Sequence, residues 1–224
     1  MQTAEDRIRG LARSLRPVRP IPPLRAVVAA GACLWLAVFL TLQWLGDTPP
    51  RPWDHPDWSD PGFLSILAGL GLVAIGSTLG ALASSVPGRE ATTRAGLACA
   101  ILGGIVAITS GVLSTSVAEL RFDARELIAC FSCIGHSTVL GISSALASCA
   151  FIAYAVLRRP GTSTALAIIG GVAFGAIIVH ASCEAASGFH RLVSHVLAPL
   201  FAAAVLTLPV ALATRLLANR FRRD

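Results

Sequence analysis

Two short patterns carry the chemistry that this 224-residue chain can offer. Cys130-x-x-Cys133-x-x-His136 and His180-x-x-Cys183-Glu184 set thiols and imidazoles three residues apart, where they are neighbours on one turn of a helix. His190 and His195 follow shortly after. Thiolate sulfur and imidazole nitrogen together suit a tetrahedral Zn²⁺ ion or a copper ion. Cys130, Cys133, His136, His180 and Cys183 are therefore the candidate metal or redox residues. The same side chains also support two other chemistries. In an oxidising compartment Cys130 and Cys133 can pair, or either can pair with Cys183. A disulfide or a metal can also serve only to hold two loops together. Spacing alone does not choose among the three. Cys33, Cys99 and Cys149 lie inside apolar runs and read as small apolar filler.

The elements that must position these residues follow from composition. Hydrophobic residues make up 54% of the chain and charged residues only 13%, with a mean hydropathy of +0.72. Soluble domains carry about 25% charge, so water is not the main solvent here. A crossing of the hydrocarbon core takes about 20 apolar residues. Six apolar stretches meet or approach that length: Ala26–Leu45, Phe63–Ser85, Ala95–Ser114, Ser137–Leu157, Ser163–Val179 and Leu192–Leu217. The expected fold is an all-α polytopic membrane protein, a bundle of six transmembrane helices. Its parts would be an amphipathic helix with an Arg/Pro neck over 1–25, a six-helix membrane domain over 26–217 and a basic tail over 218–224. On these boundaries the Cys–Cys–His motif sits just before the fourth span, the His–Cys pair just after the fifth, and the last span starts near His195. Gly76-x-x-x-Gly80 and Gly171-x-x-x-Gly175 are small-residue pairs that let helices approach closely, as in ordinary bundle packing. Pro199 and Pro209 should kink the last span or free carbonyls within it.

All 18 basic residues are Arg, and their distribution orients the bundle. Fourteen fall in the two tails and the second and fourth loops. The other four, Arg51, Arg121, Arg125 and Arg191, fall on the opposite side, where Arg191 would snorkel at a span margin. Both termini are thus expected in the cytoplasm of a bacterium, and the Cys/His patterns at the outer face of its inner membrane. The net charge of +6 becomes an inside–outside gradient and gives no reason to expect direct nucleic-acid binding.

Several functions drop out. Without Lys there is no Schiff base for retinal or pyridoxal phosphate, no Walker-A lysine and no kinase lysine. No HExxH, GxSxG or Gly-rich phosphate loop occurs, so the chain reads as a non-enzyme. Transporters and proton pumps place ionisable groups at mid-membrane, and the six stretches have none. Trp53 and Trp58, in the first outer loop, read as interfacial anchors.

The N-terminal tail offers a different kind of site. Thr3-Ala-Glu-Asp6 resembles a capping box. Ile8, Leu11, Ala12 and Leu15 then share one helical face, flanked by Arg7, Arg9, Arg13 and Arg16. Pro17 ends the helix, and Arg16-Pro-Val-Arg-Pro-Ile-Pro-Pro continues as a stiff extended neck. Such a helix can lie on anionic lipid or fill the groove of a cytoplasmic protein. The stretch Leu11-Ala-Arg-Ser-Leu-Arg-Pro-Val-Arg-Pro-Ile-Pro-Pro-Leu-Arg25 resembles the N-terminal signature of the NrsF-like and CarR-like bacterial membrane anti-sigma factors. The resemblance implies six spans, and a cytoplasmic N-terminal segment that holds an extracytoplasmic-function sigma factor until a signal releases it. Here that segment would use Ile8, Leu11, Arg13, Leu15 and Arg16. It also implies outer-face Cys and a His–Cys pair after the fifth span, corresponding to His180-Ala-Ser-Cys183. In this chain the pair is spaced by two residues, and no Pro follows the Cys. The implied signals are light or singlet oxygen, or metal or redox stress. A second membrane protein could trigger inactivation, and a light signal would have to come from another molecule. The alternative expectation is a small-molecule or metal permease with an outer-face Cys/His site.

Overall fold

The computed structural model describes residues 56–84, 86, 88–116, 124–154, 160–183 and 187–221, with scattered positions between 5 and 41. A 3₁₀ turn, Pro56–Ser59, leads into α1 (Pro61–Ser84). It is followed by α2 (Glu90–Ser114), α3 (Ala124–Tyr154) and α4 (Pro160–Ser182). The last helix, α5, opens at Gly188–His190, winds as a π-helix over Arg191–Leu197 and continues over Ala198–Phe221. Among the described residues there is no strand. Four segments are long and apolar enough to cross a bilayer: Pro61–Ser84, Glu90–Ser114, Gly161–Ser182 and Gly188–Ala213. A shorter apolar stretch, Cys130–Ile142, lies within α3. The described residues are thus almost entirely helical, and these four apolar helices are those of a membrane protein.

Its surface agrees with that solvent. Leu113 is 81% exposed and Phe201 73%, and Ile101, Leu102, Ile105, Ile128, Val139, Leu208 and Leu216 are also exposed. A patch of this kind is a liability in water; in hydrocarbon it is an ordinary lipid-facing surface. With no apolar driving force between helices in lipid, contact depends on close backbone approach. A Cβ on Gly76 would come within 2.6 Å of the Gly96 carbonyl oxygen of α2. One on Gly171 would come within 2.6 Å of the Ala145 amide of α3. Both small-residue motifs are thus used inside the chain.

α1 and α4 run antiparallel. Ser84, at the end of α1, meets Ser163, at the start of α4, with 2.6 Å between hydroxyls. At the other end of the bundle, the carbonyl of Phe63 meets His180. The start of α1, the end of α2, the end of α4 and the start of α5 therefore gather at one end. Ile66, Leu70, Ala107, Ala176 and Val196 form the buried core beneath it.

The helices extend past several of the expected boundaries. α3 starts at Ala124, so Cys130-x-x-Cys133-x-x-His136 lies within a helix and not ahead of one. Hydrophobicity alone reads the polar Arg125-Glu126 and Ser132 as a loop, whereas a helix extending beyond the apolar stretch accommodates them. α5 starts seven residues ahead of His195 and runs on through Phe221 into the basic tail. Arg191 does not snorkel: it is 5% exposed and folds inward. Every described position from 25 to 41 is helical, and Trp35 stacks on Phe174 with ring centroids 4.3 Å apart. Ile8, Leu11, Arg13, Leu15 and Arg16 lie outside the described residues.

Candidate metal centre

α3 faces the bundle with a stripe of Cys130, Ser137, Gly141, Ala145 and Cys149, all buried, with Cys133 at its edge. At about 100° per residue, His136 stands about 120° round the helix from Cys130. It is exposed, and its Nδ1 pairs with the Ser132 carbonyl at 2.8 Å. His136 therefore stands apart from the other candidate residues.

α4 delivers His180 in its last turn and Cys183 just beyond its end. The sulfurs of Cys133 and Cys183 are 3.5 Å apart and are not joined by a disulfide. Nε2 of His190 is 3.4 Å from the Cys183 sulfur, and its Nδ1 is 3.4 Å from the Cys130 sulfur. Donor atoms of Cys133, Cys183, His190 and His195 all lie within 4.8 Å of one another, so the four can hold a metal ion. Both imidazoles are fully buried, and both thiols are half-buried.

The π winding of α5 makes this possible. In an α-helix, residues five apart diverge by about 140°. In a π-helix they are joined by the i→i+5 bond and stack on one face. The rings of His190 and His195 accordingly have centroids 5.1 Å apart. The Ala198 amide donates to the Val193 carbonyl, which is the π bond. Pro199 follows immediately and has no N–H for the His195 carbonyl, so an α-helix would lack that bond in any case. The start of the helix is anchored as well: the Ser187 hydroxyl accepts the His190 amide at 3.1 Å.

A second layer surrounds the four. His180 Nδ1 lies 2.9 Å from His195 Nδ1, and His180 Nε2 lies 3.2 Å from the Phe63 carbonyl oxygen. Phe63 stacks on His180 with centroids 4.4 Å apart, and Trp58 meets Phe63 edge-on. Arg191 bonds Asp60 at 2.5 Å, with its guanidinium carbon 5.8 Å from the centre of the Phe63 ring. That pairing holds Asp60 below the usual carboxylate range. Cys183 is held below the usual thiol range, first by the facing Cys133 thiol and also by the imidazoles of His190 and His195, against the opposite effect of burial.

Of the five residues expected from sequence, Cys133 and Cys183 join the four-residue group. Cys130 and His180 each contact one of its imidazoles, and His136 stands apart. His190 and His195 complete the group although their spacing of five fits no α-helical face. The nearest sequence signal is Pro199, which follows the pair by one helical turn.

No protein-family model, no curated protein and no solved structure matches this chain.

Proposed function

We propose that this protein is a membrane-bound anti-sigma factor that takes its input at the Cys/His centre. In this reading the chain crosses the bacterial inner membrane six times, with both termini in the cytoplasm and the centre at the outer face. The N-terminal helix, through Ile8, Leu11, Leu15, Arg13 and Arg16, sequesters an extracytoplasmic-function sigma factor. A change at the centre alters the bundle, alone or through a second membrane protein, and frees the sigma factor. The centre holds Zn²⁺ or a copper ion, or its thiols react with an oxidant. The lipid bilayer is a further partner, and the reading involves no direct contact with nucleic acid.

One observation carries the reading: thiols and imidazoles borne by α3, the end of α4 and α5 converge at one end of the bundle. A permease would need a polar route inward from that cluster. Beneath it lies an apolar void of about 10 Å³, lined by Leu70, Val73, Ala107, Val172, Val196 and Leu200 among others. Recognition of a sigma factor rests on the resemblance of the Leu11–Arg25 stretch.

The test is co-purification from the native host. The intact protein is expected to bring down a sigma factor, and a chain lacking Met1–Arg16 is expected to bring down none. Failure of the intact protein to retain any sigma factor refutes the proposal.

A further inference from the structure

We infer that Cys133, Cys183, His190 and His195 are the ligands of a resident Zn²⁺ ion, and that His180 and Cys130 position its two imidazoles. This names the ligand of the centre on which the anti-sigma reading rests, but it does not depend on sigma binding.

Ring protonation points the same way. His180 Nε2 faces a carbonyl, which can only accept, so Nε2 carries the proton and donates to Phe63. The Nδ1 of a neutral His180 is then an acceptor. His195 Nδ1, 2.9 Å away, must be the donor to it. That leaves His195 Nε2 as a bare lone pair. This nitrogen is fully buried and has no hydrogen-bond partner among the described residues. A buried acceptor without a donor is costly, and a cation within the cluster satisfies it. His190 repeats the arrangement: its Nδ1 faces Cys130 and its Nε2 faces Cys183. Metal-bound imidazoles characteristically have the outer nitrogen engaged in this manner, which fixes tautomer and ring orientation.

The spacing fits the ion. With Zn–S near 2.3 Å and Zn–N near 2.05 Å, a tetrahedron has S–S edges of about 3.8 Å and S–N edges of about 3.6 Å. The observed edges are 3.5 Å between Cys133 and Cys183 and 3.4 Å between Cys183 and His190. Two thiolates with two imidazoles are the donor set of structural zinc sites, in which the protein fills all four coordination positions. Here Trp58 and Phe63 lie over the His180 side.

The experiment uses the full chain purified in detergent, stripped with a chelator and reloaded with ZnCl₂. One Zn²⁺ per chain should bind more tightly than about 0.1 µM, as structural sites of this kind do. Co²⁺ in its place should give the visible ligand-field bands of a tetrahedral thiolate–imidazole centre. Cys183→Ser and His195→Gln should abolish stoichiometric binding, whereas His136→Gln should leave it intact. His180→Gln should weaken affinity by about 10- to 100-fold while keeping one site. Because stripping and reloading are done on the unaltered protein, a variant that fails to fold does not decide the matter. Absence of tight stoichiometric Zn²⁺ in the reloaded protein overturns the inference. So does preferential retention of copper at one per chain, or a loss in His136→Gln equal to that in Cys183→Ser. A protein that binds Zn²⁺ as described but retains no sigma factor overturns the anti-sigma reading and leaves this one standing.

Discussion

The ion pair between Asp60 and Arg191 offers the sharpest energetic test of how the centre is held. Asp60 precedes α1, and Arg191 begins the π segment of α5, so the pair joins two helices at the end of the bundle where the metal ligands meet. The two partners differ in exposure: 40% for the Asp60 side chain and 6% for that of Arg191. Exposed pairs contribute about 0.2–1 kcal/mol, whereas removing one partner from a buried pair costs about 3–5 kcal/mol. With one partner buried and the other half-exposed, the expected coupling is about 2 kcal/mol. Asp60→Asn is the right perturbation, because Asp60 also caps α1: its Oδ1 accepts the Gly62 amide at 2.8 Å. Asn keeps that cap and removes only the charge. A double-mutant cycle of Asp60→Asn and Arg191→Met, read by reversible unfolding in mixed micelles, isolates the pair. Coupling below about 0.3 kcal/mol would mean that Arg191 reaches water and contributes as a surface charge does. The reasoning about this end of the bundle would then be wrong. The pH dependence has a definite sign. The folded-state pKa of Asp60 lies below its ordinary 3.8, so the pair's stabilisation is fully present above that value. It should be lost as the pH falls below 3.8, and lost only in the protein with Asp60 intact.

Three further outcomes are expected. Ser187→Ala should cost about 1 kcal/mol of stability in the same unfolding assay, since it removes the acceptor of the His190 amide. Gly171→Val should cost about 1–3 kcal/mol by overpacking, because any Cβ there meets α3 backbone at 2.6 Å; a neutral effect would mean that α3 and α4 can part freely. Leu11→Asp should abolish sigma-factor retention while leaving Zn²⁺ stoichiometry unchanged, because a charge in the apolar stripe must be desolvated on docking; retained affinity would shift recognition to the Arg residues or the neck.

Much of the architecture was legible in the amino-acid sequence, because hydrophobicity needs no tertiary information. Long apolar runs in a chain with 13% charge must become helices in lipid, since an isolated segment there has to satisfy its own backbone. Four such helices are present where runs were read, and Cys133 and Cys183 were identified as chemistry from residue type alone. Sequence could not show which imidazoles would meet those thiols. His136 lies three residues from Cys133 yet faces outward, because the stripe that turns α3 inward follows Cys130, Ser137 and Gly141. His190 and His195 stand five apart, a spacing that points to opposite sides of an α-helix. They converge because α5 winds as a π-helix ahead of Pro199, and because Ser187 and the Asp60–Arg191 pair hold its start. Helix formation and membrane crossing are local consequences of composition. A four-ligand centre drawn from three helices depends on the winding of one of them and on contacts between residues up to 131 positions apart, and that is set only when the bundle packs.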